Sequence, residues 1–209
     1  MTADFELPAS VAALRTQLAQ QELELQRLRD EITGLRRNDP LTGVMNQRTL
    51  QEWLAAELVR SHRTGHPFCY AVVDLDGFGA LNRQFGNAAG DDVLKMFSNA
   101  AIKLLRALDR FGRIDGDCFG IVLPATWLDS GVIAMNRLRA AVDACPWASV
   151  VPGSAVSFSA GLTTNAPGDS PEKLLDRAMQ GLQQAREKGG NCTQTVEDAL
   201  PDLPVLDDL

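Results

Sequence analysis

The chain has no window of about twenty apolar residues, so no segment of it reads as a helix that crosses a bilayer. No apolar stretch near the N-terminus resembles a signal peptide, and the expected location is cytoplasmic. Basic residues are in deficit, with 20 Lys and Arg against 27 Asp and Glu and a formal charge of −7. General binding to DNA, RNA or an anionic membrane needs a broad cationic excess to displace counterions, and is therefore not expected. A small anionic ligand held by a local arginine cluster remains open. Cysteine is scarce and unpaired in spacing: Cys69, Cys118, Cys145 and Cys192 lie far apart with no CxxC, which points to free thiols in a reducing compartment. The two histidines, His62 and His66, precede an apolar run without an acidic neighbour and read as surface residues. No internal repeat is visible.

What the chain does have is enough apolar residue, 45% of the total, to fill the core of one domain of ordinary size. Ahead of that domain, Val11, Leu14, Leu18, Gln21, Leu25, Leu28, Ile32 and Leu35 step by three and four in alternation. That is the seam of a heptad repeat, too narrow to hold a lone helix onto a domain, and it predicts a parallel homodimeric coiled coil over residues 1–37. Gln21 is the polar seam position that helps to set its register. Asn38-Asp39-Pro40 then ends the helix, because a residue before proline is pushed out of the α region.

A domain follows over residues 38–196. Asn46 is placed to cap a helix to about Arg60, with Leu50, Trp53, Leu54 and Leu58 on one face. Phe68–Val73 is an unbroken apolar run suited to a central strand, ending in Asp74-Leu75-Asp76. Asp91 to Leu108 carries a helical repeat, and Arg110–Ile114 and Cys118–Leu123 flank Asp115-Gly116 as a hairpin with a type I′ turn. Thr126 with Asp129 imitates a capping box for a helix to Val142. A strand at Ala155–Gly161, a helix from Ser170-Pro171 to Lys188 and a short strand at 192–196 complete the order. This is an α/β sandwich, a mixed central sheet with a β-hairpin covered by helices, of the ferredoxin or polymerase-palm kind. Trp53, Trp127 and Trp147 read as packing residues. The acidic, proline-interrupted tail over 197–209 reads as disordered or as a docking peptide.

Asp74 and Asp76 close a strand while Asp117 opens the second arm of the hairpin, so adjacent strands bring carboxylates to one end of the sheet. Palm-like enzymes hold Mg²⁺ in this way, although an Asp-x-Asp at a strand end is equally a turn or capping feature. Arg106, Asp109, Arg110 and Arg113 add a basic patch on the way into the hairpin.

Five blocks taken together resemble the GGDEF family of diguanylate cyclases in order and spacing: DPLTGVMNQRTL at 39–50, DLDGFGALNRQFGNAAGDDVL at 74–94, RALDRFGRIDGDCF at 106–119, VSFSAG at 156–161 and AREKGGN at 185–191. The resemblance implies an adenylyl-cyclase-like palm fold in which two GTP molecules are joined into cyclic di-GMP with Mg²⁺ across a dimer. It also implies roles: Asp74 as metal ligand, Asp117 as the catalytic acidic position, and Asn82 and Asp91 as the guanine-recognising pair. The signature departs from the family's pattern. It reads Asp115-Gly116-Asp117-Cys118-Phe119, with Asp for the first glycine and Cys118 for the glutamate, and a neutral thiol is a poor ligand for hard Mg²⁺. Gly79 stands where the family has a phosphate-binding lysine, Arg186 where the last helix has another, and Gly190 where an arginine often follows. Catalysis is therefore expected to be impaired, with GTP or GDP binding retained at most. Arg106-Ala107-Leu108-Asp109 sits five residues before the signature, as does the family's RxxD inhibitory site for cyclic di-GMP. Arg137, and more loosely Arg60, resemble further arginines that reach the same ligand. Taken alone, Arg106 and Asp109 are equally an ion pair at a helix end. The expectation is a cyclic di-GMP receptor, with a slow cyclase or an interaction module serving an unknown protein partner as alternatives.

Overall fold

The computed structural model describes residues 14–24 and 36–198, and the chain divides into two units, residues 1–36 and 37–209. In the first unit residues 14–24 form helix α1, on which Leu14 and Leu18 are 63% and 57% exposed. The seam positions Val11, Leu25, Leu28, Ile32 and Leu35 lie outside the described residues, as does the tail from residue 199.

The second unit runs α2 (Gln47–Thr64), β1 (Cys69–Leu75), α3 (Phe78–Phe85), α4 (Asn87–Leu104), β2 (Arg110–Asp115), β3 (Cys118–Leu123), α5 (Leu128–Asp143), β4 (Phe158–Thr164), α6 (Pro171–Glu187) and β5 (Thr193–Thr195). The five strands form one sheet in the order β2-β3-β1-β4-β5, antiparallel except for the parallel β4–β5 pair. Side chains alternate across a strand, and β1 shows why it lies in the middle. Cys69, Ala71, Val73 and Leu75 face a core with Val93, Phe97, Met135 and Leu138 of α4 and α5, while Tyr70 and Val72 face Leu50, Leu54, Leu174 and Ala178 of α2 and α6. The result is the expected sandwich, with a helical layer on each face of a mixed sheet.

Local signals decide where elements begin and end. The Asn46 side chain accepts from the Thr49 N–H and starts α2, and the Ser170 side chain accepts from the Lys173 N–H to start α6, with Pro171 at its first position. Four expectations need correction. The helix read from Asp91 begins at Asn87 and stops at Leu104, because the Asp109 carboxylate accepts from the Arg106 N–H at 2.7 Å and folds RALD into a turn instead. A separate helix, α3, precedes it, divided from α4 by Gly86 at φ 85°. Thr126 is not a helix cap: its hydroxyl donates to the Pro124 carbonyl, and α5 is capped at Trp127 without a side-chain bond. The hairpin turn is not type I′. Asp115 pairs with Cys118 after a bulge at Ile114, so Gly116 and Asp117 are the loop residues, and only Gly116 has positive φ, at 49°.

The tryptophans also divide. Trp147 is buried and its indole N–H donates to the Val142 carbonyl, as packing requires. Trp53 carries the Arg110 guanidinium 4.1 Å above its ring, and Trp127 is 71% exposed, contrary to the packing expectation.

Candidate nucleotide sites

Register places the carboxylates. Asp74 shares the face of Tyr70 and Val72, so it points toward α6, and it lies directly opposite Cys118 on β3 and Ser159 on β4. Helix α6 comes close enough to matter because Gly161 lets it. A Cβ there would sit 1.9 Å from the Ala178 carbonyl oxygen, and Gly181 meets the Gly161 Cα from the helix side. This close approach brings Arg186 over the strand end, where its Nη2 pairs with Asp74 Oδ2 at 2.6 Å. The ion pair raises the arginine further above its ordinary range.

Asp117 lies in the turn, and its carbonyl accepts from the Leu75 N–H at 3.4 Å. Burial raises its carboxyl above the ordinary value, and the nearby charge of Asp74 raises it further against the opposing pull of Arg186 and Arg113. The Cys118 thiol is pushed up to about 12, first by burial and then by Asp74 and Asp117, so it remains protonated at neutral pH. Asp76, the third carboxylate of the sequence reading, is taken up structurally. It accepts from the hydroxyls of Ser157 at 2.7 Å and Ser159 at 2.6 Å and from the Asn191 N–H at 2.9 Å. Asp76 therefore fastens β1 to the β4 entry and to the turn after α6. The signal for this role was the alternation of Ser157 and Ser159 on one face of a strand.

These facts bear on Mg²⁺. Of the ligand set, Asp74 is engaged by a guanidinium, the glutamate is a protonated thiol, and Asp76 has other partners. Among the described residues no three His, Cys, Asp or Glu side chains converge in a way that could hold a metal ion. The donor set does not fit a two-metal centre.

The residues matched to guanine recognition sit at the α3–α4 elbow. The Asn82 amide rests on Gly90, where a Cβ would be 1.9 Å from its oxygen, and that oxygen is buried without a partner. Asp91 is exposed one position further on. An unpartnered buried acceptor is a site waiting for a donor.

A second site lies where β2 and α5 begin. Arg106, Asp109 and Arg137 line one recess together with Leu104, Leu105 and Thr126. No ion pair joins Arg106 to Asp109; the carboxylate caps the Arg106 N–H instead, and the Arg106 and Arg137 guanidinium groups have no partner among the described residues. Two free guanidinium groups and a fixed carboxylate around an apolar floor can take a phosphate and the edge of a guanine base. Arg60 is not in this recess. Its guanidinium forks onto Glu57 at 2.8 and 2.5 Å and lines a separate one with Trp53, Leu108 and Arg110.

The hairpin is held by Arg113, part of the basic patch on the way into it, through contacts that the sequence pattern does not announce. Arg113 Nε donates to the Gly116 carbonyl at 2.7 Å, and its Nη1 reaches Asp39 at 3.2 Å. Burial works to raise the Asp39 carboxyl, but the Thr42 hydroxyl and N–H together with Arg113 outweigh it and hold the group below its ordinary value. The DPLTG turn is thereby locked onto β2, with Arg113 N–H donating to the Met45 carbonyl.

The sheet order and the hairpin define a palm-type domain, a mixed five-stranded sheet covered by helices. Residues 37–192 match the family described as "Diguanylate cyclase, GGDEF domain", and the chain belongs to that family. It is 40% identical over 151 residues to the diguanylate cyclase DgcP of Pseudomonas aeruginosa, covering 72% of this chain and 22% of that protein. It is 34% identical over 157 residues to the response regulator PleD of Caulobacter vibrioides, covering 73% of this chain and 34% of that one. The chain thus spans about a fifth to a third of the length of these relatives. Among solved structures it resembles the diguanylate cyclase SiaD of Pseudomonas aeruginosa in complex with its activator SiaC, with TM-score 0.72 and 29% identity over 90% of this chain and 73% of that one. The coiled coil and GGDEF domain of DgcB from Caulobacter crescentus, in complex with cyclic di-GMP, superposes with TM-score 0.73 over 88% of this chain and all of that one; at 23% identity this likeness concerns the fold.

Proposed function

We propose that this chain acts in cyclic di-GMP signalling as a receptor rather than as a cyclase. It binds cyclic di-GMP through Arg106, Asp109 and Arg137, and its signature end has lost productive catalysis. The observation that carries this reading is the contrast between the two sites. In the recess the guanidinium groups of Arg106 and Arg137 are free and Asp109 is fixed beside them. At the signature end Asp74 is neutralised by Arg186 and the glutamate is replaced by a protonated thiol. Charge that is missing or misplaced around a developing transition state is commonly worth several kcal/mol, enough to silence a slow phosphoryl transfer.

Isothermal titration with cyclic di-GMP tests the reading. Binding in the micromolar range or tighter is expected, weakened about tenfold or more in Arg106→Ala, since each bidentate arginine contact to guanine contributes about 1–3 kcal/mol. No binding at tens of micromolar, or unchanged binding in the variant, removes it.

Two observations favour a second reading, a slow diguanylate cyclase. Asp74 and Asp117 remain within electrostatic reach of one another, and Asn82 still offers an unpartnered acceptor. This reading requires Mg²⁺ at Asp74 and Asp117 and therefore an opened Arg186 pair. Cyclic di-GMP formed from GTP with Mg²⁺ or Mn²⁺ and lost in Asp117→Ala would support it, and a rate indifferent to Asp117→Ala would dismiss it.

A further inference from the structure

Arg186 does more than vacate a lysine's place. The parity of β1 turns Asp74 toward α6, the Gly161–Gly181 contact seats that helix close against the sheet, and the guanidinium meets the carboxylate at 2.6 Å. A cation already occupies the position from which a divalent ion would bind Asp74. It is a covalently attached one, and its fork is only partly used: Nη2 pairs with Asp74, while Nε and Nη1 have no partner among the described residues and the side chain is 46% exposed. A guanidinium anchored on one edge by a carboxylate presents its other edge to a phosphoryl oxygen in fixed orientation.

The neighbours decide which phosphate. Asp115 and Asp117 stand on the hairpin with no lysine at Gly79, where an added Cβ would meet only the Arg83 guanidinium, at 3.7 Å. A triphosphate without a metal would bring several negative charges against these two carboxylates, whereas a monophosphate brings fewer.

We propose that the Arg186 guanidinium stands permanently in place of the divalent cation at Asp74, making the signature end a metal-independent site for a phosphate monoester. This rests on the reading of a signature end that no longer turns over GTP. Two side chains carry it: Asp74 orients Arg186, and Arg186 takes the phosphate.

Two measurements on the full chain test it. In an electron paramagnetic resonance titration with Mn²⁺ alone, the wild-type protein is expected to take up no ion at this site, as is Arg186→Lys, which keeps the charge. Arg186→Ala is expected to gain Mn²⁺ uptake at least about tenfold tighter, since it frees a carboxylate beside Asp117. Mn²⁺ bound by the wild type as tightly as by Arg186→Ala overturns the proposal. In calorimetry with GMP as probe, binding in EDTA is expected to equal binding in Mg²⁺ within about twofold, to exceed that of GTP, and to fall about tenfold in Arg186→Gln. No heat with GMP, or heat only when Mg²⁺ is present, overturns it as well. Cyclic di-GMP titrated into Arg186→Ala reports on Arg106 and Asp109 alone, so a failure at either site is told from a failure at the other.

Discussion

At the scale of single residues, the two ends of one hairpin use the same residue types for opposite ends. Near Arg106 a carboxylate is spent on a backbone N–H and leaves arginine free; at Asp74 a carboxylate is spent on arginine and leaves little for a metal. Asp117 shows the cost of the second arrangement. Its carboxyl is raised by burial and by Asp74, so the folded state binds its proton more tightly than the unfolded chain does. Stability contributed by that proton is present below the unfolded value and declines as pH rises through the folded one. Asp117→Asn is therefore expected to raise the melting temperature at neutral pH. The gain should shrink to nothing in acid, where the aspartate is protonated in both states. Thermal denaturation across pH checks this, and a gain that persists in acid counts against the assignment.

At the scale of elements, the junction of α6 with β4 carries the site. Gly161 and Gly181 let the helix backbone approach the strand, and Arg139 ties the strand's other side by donating to the Phe158 carbonyl and to the side chains of Asn191 and Thr193. Gly161→Ala would drive a methyl into helix backbone, 1.9 Å from one carbonyl oxygen and 2.3 Å from the Leu182 nitrogen. Overpacking against backbone costs typically about 1–3 kcal/mol and here belongs at the upper end. Denaturant unfolding measures the loss. A wild-type midpoint would show that α6 can slide without cost, and then Arg186 would not be held over Asp74 by that contact.

At the scale of the whole molecule, the seam of α1 is the element that speaks to assembly. Leu14 and Leu18 are exposed on a helix of the first unit, and the heptad continues through residues outside the described set. We expect the full chain to be a homodimer through this helix, and Leu18→Lys to shift it toward monomer by burying a charge at a seam position. Light scattering over a concentration series reads the change; a dimer unaffected by the substitution places the contact elsewhere. No helix among the described residues is long and apolar enough to cross a membrane.

Most of the architecture was legible because its signals are local. Apolar periodicity marks α2, α4 and α6, side-chain caps at Asn46 and Ser170 mark two starts, and Asp115-Gly116 announces a hairpin. The signals failed where a competing local contact or turn overrode them: Thr126 turns back to Pro124, Gly116 alone carries the turn's positive φ, and Asp109 ends the helical pattern early. Asp74, Asp117, Asn82, Asp91, Arg106, Asp109 and Arg137 were legible as candidates from the order and spacing of blocks that resemble the family, since motif spacing is a property of the chain. What each is free to do was not, because that depends on groups far away in sequence. Asp76 is consumed by Ser157, Ser159 and Asn191, and Asp74 by Arg186. The linear chain determined which chemical groups this protein owns and which elements carry them. Only the tertiary structure, through the packing of α6 on the sheet, decided that Asp74 and Arg186 cancel, because a Coulomb pair is set by distance in space and not by separation along the backbone.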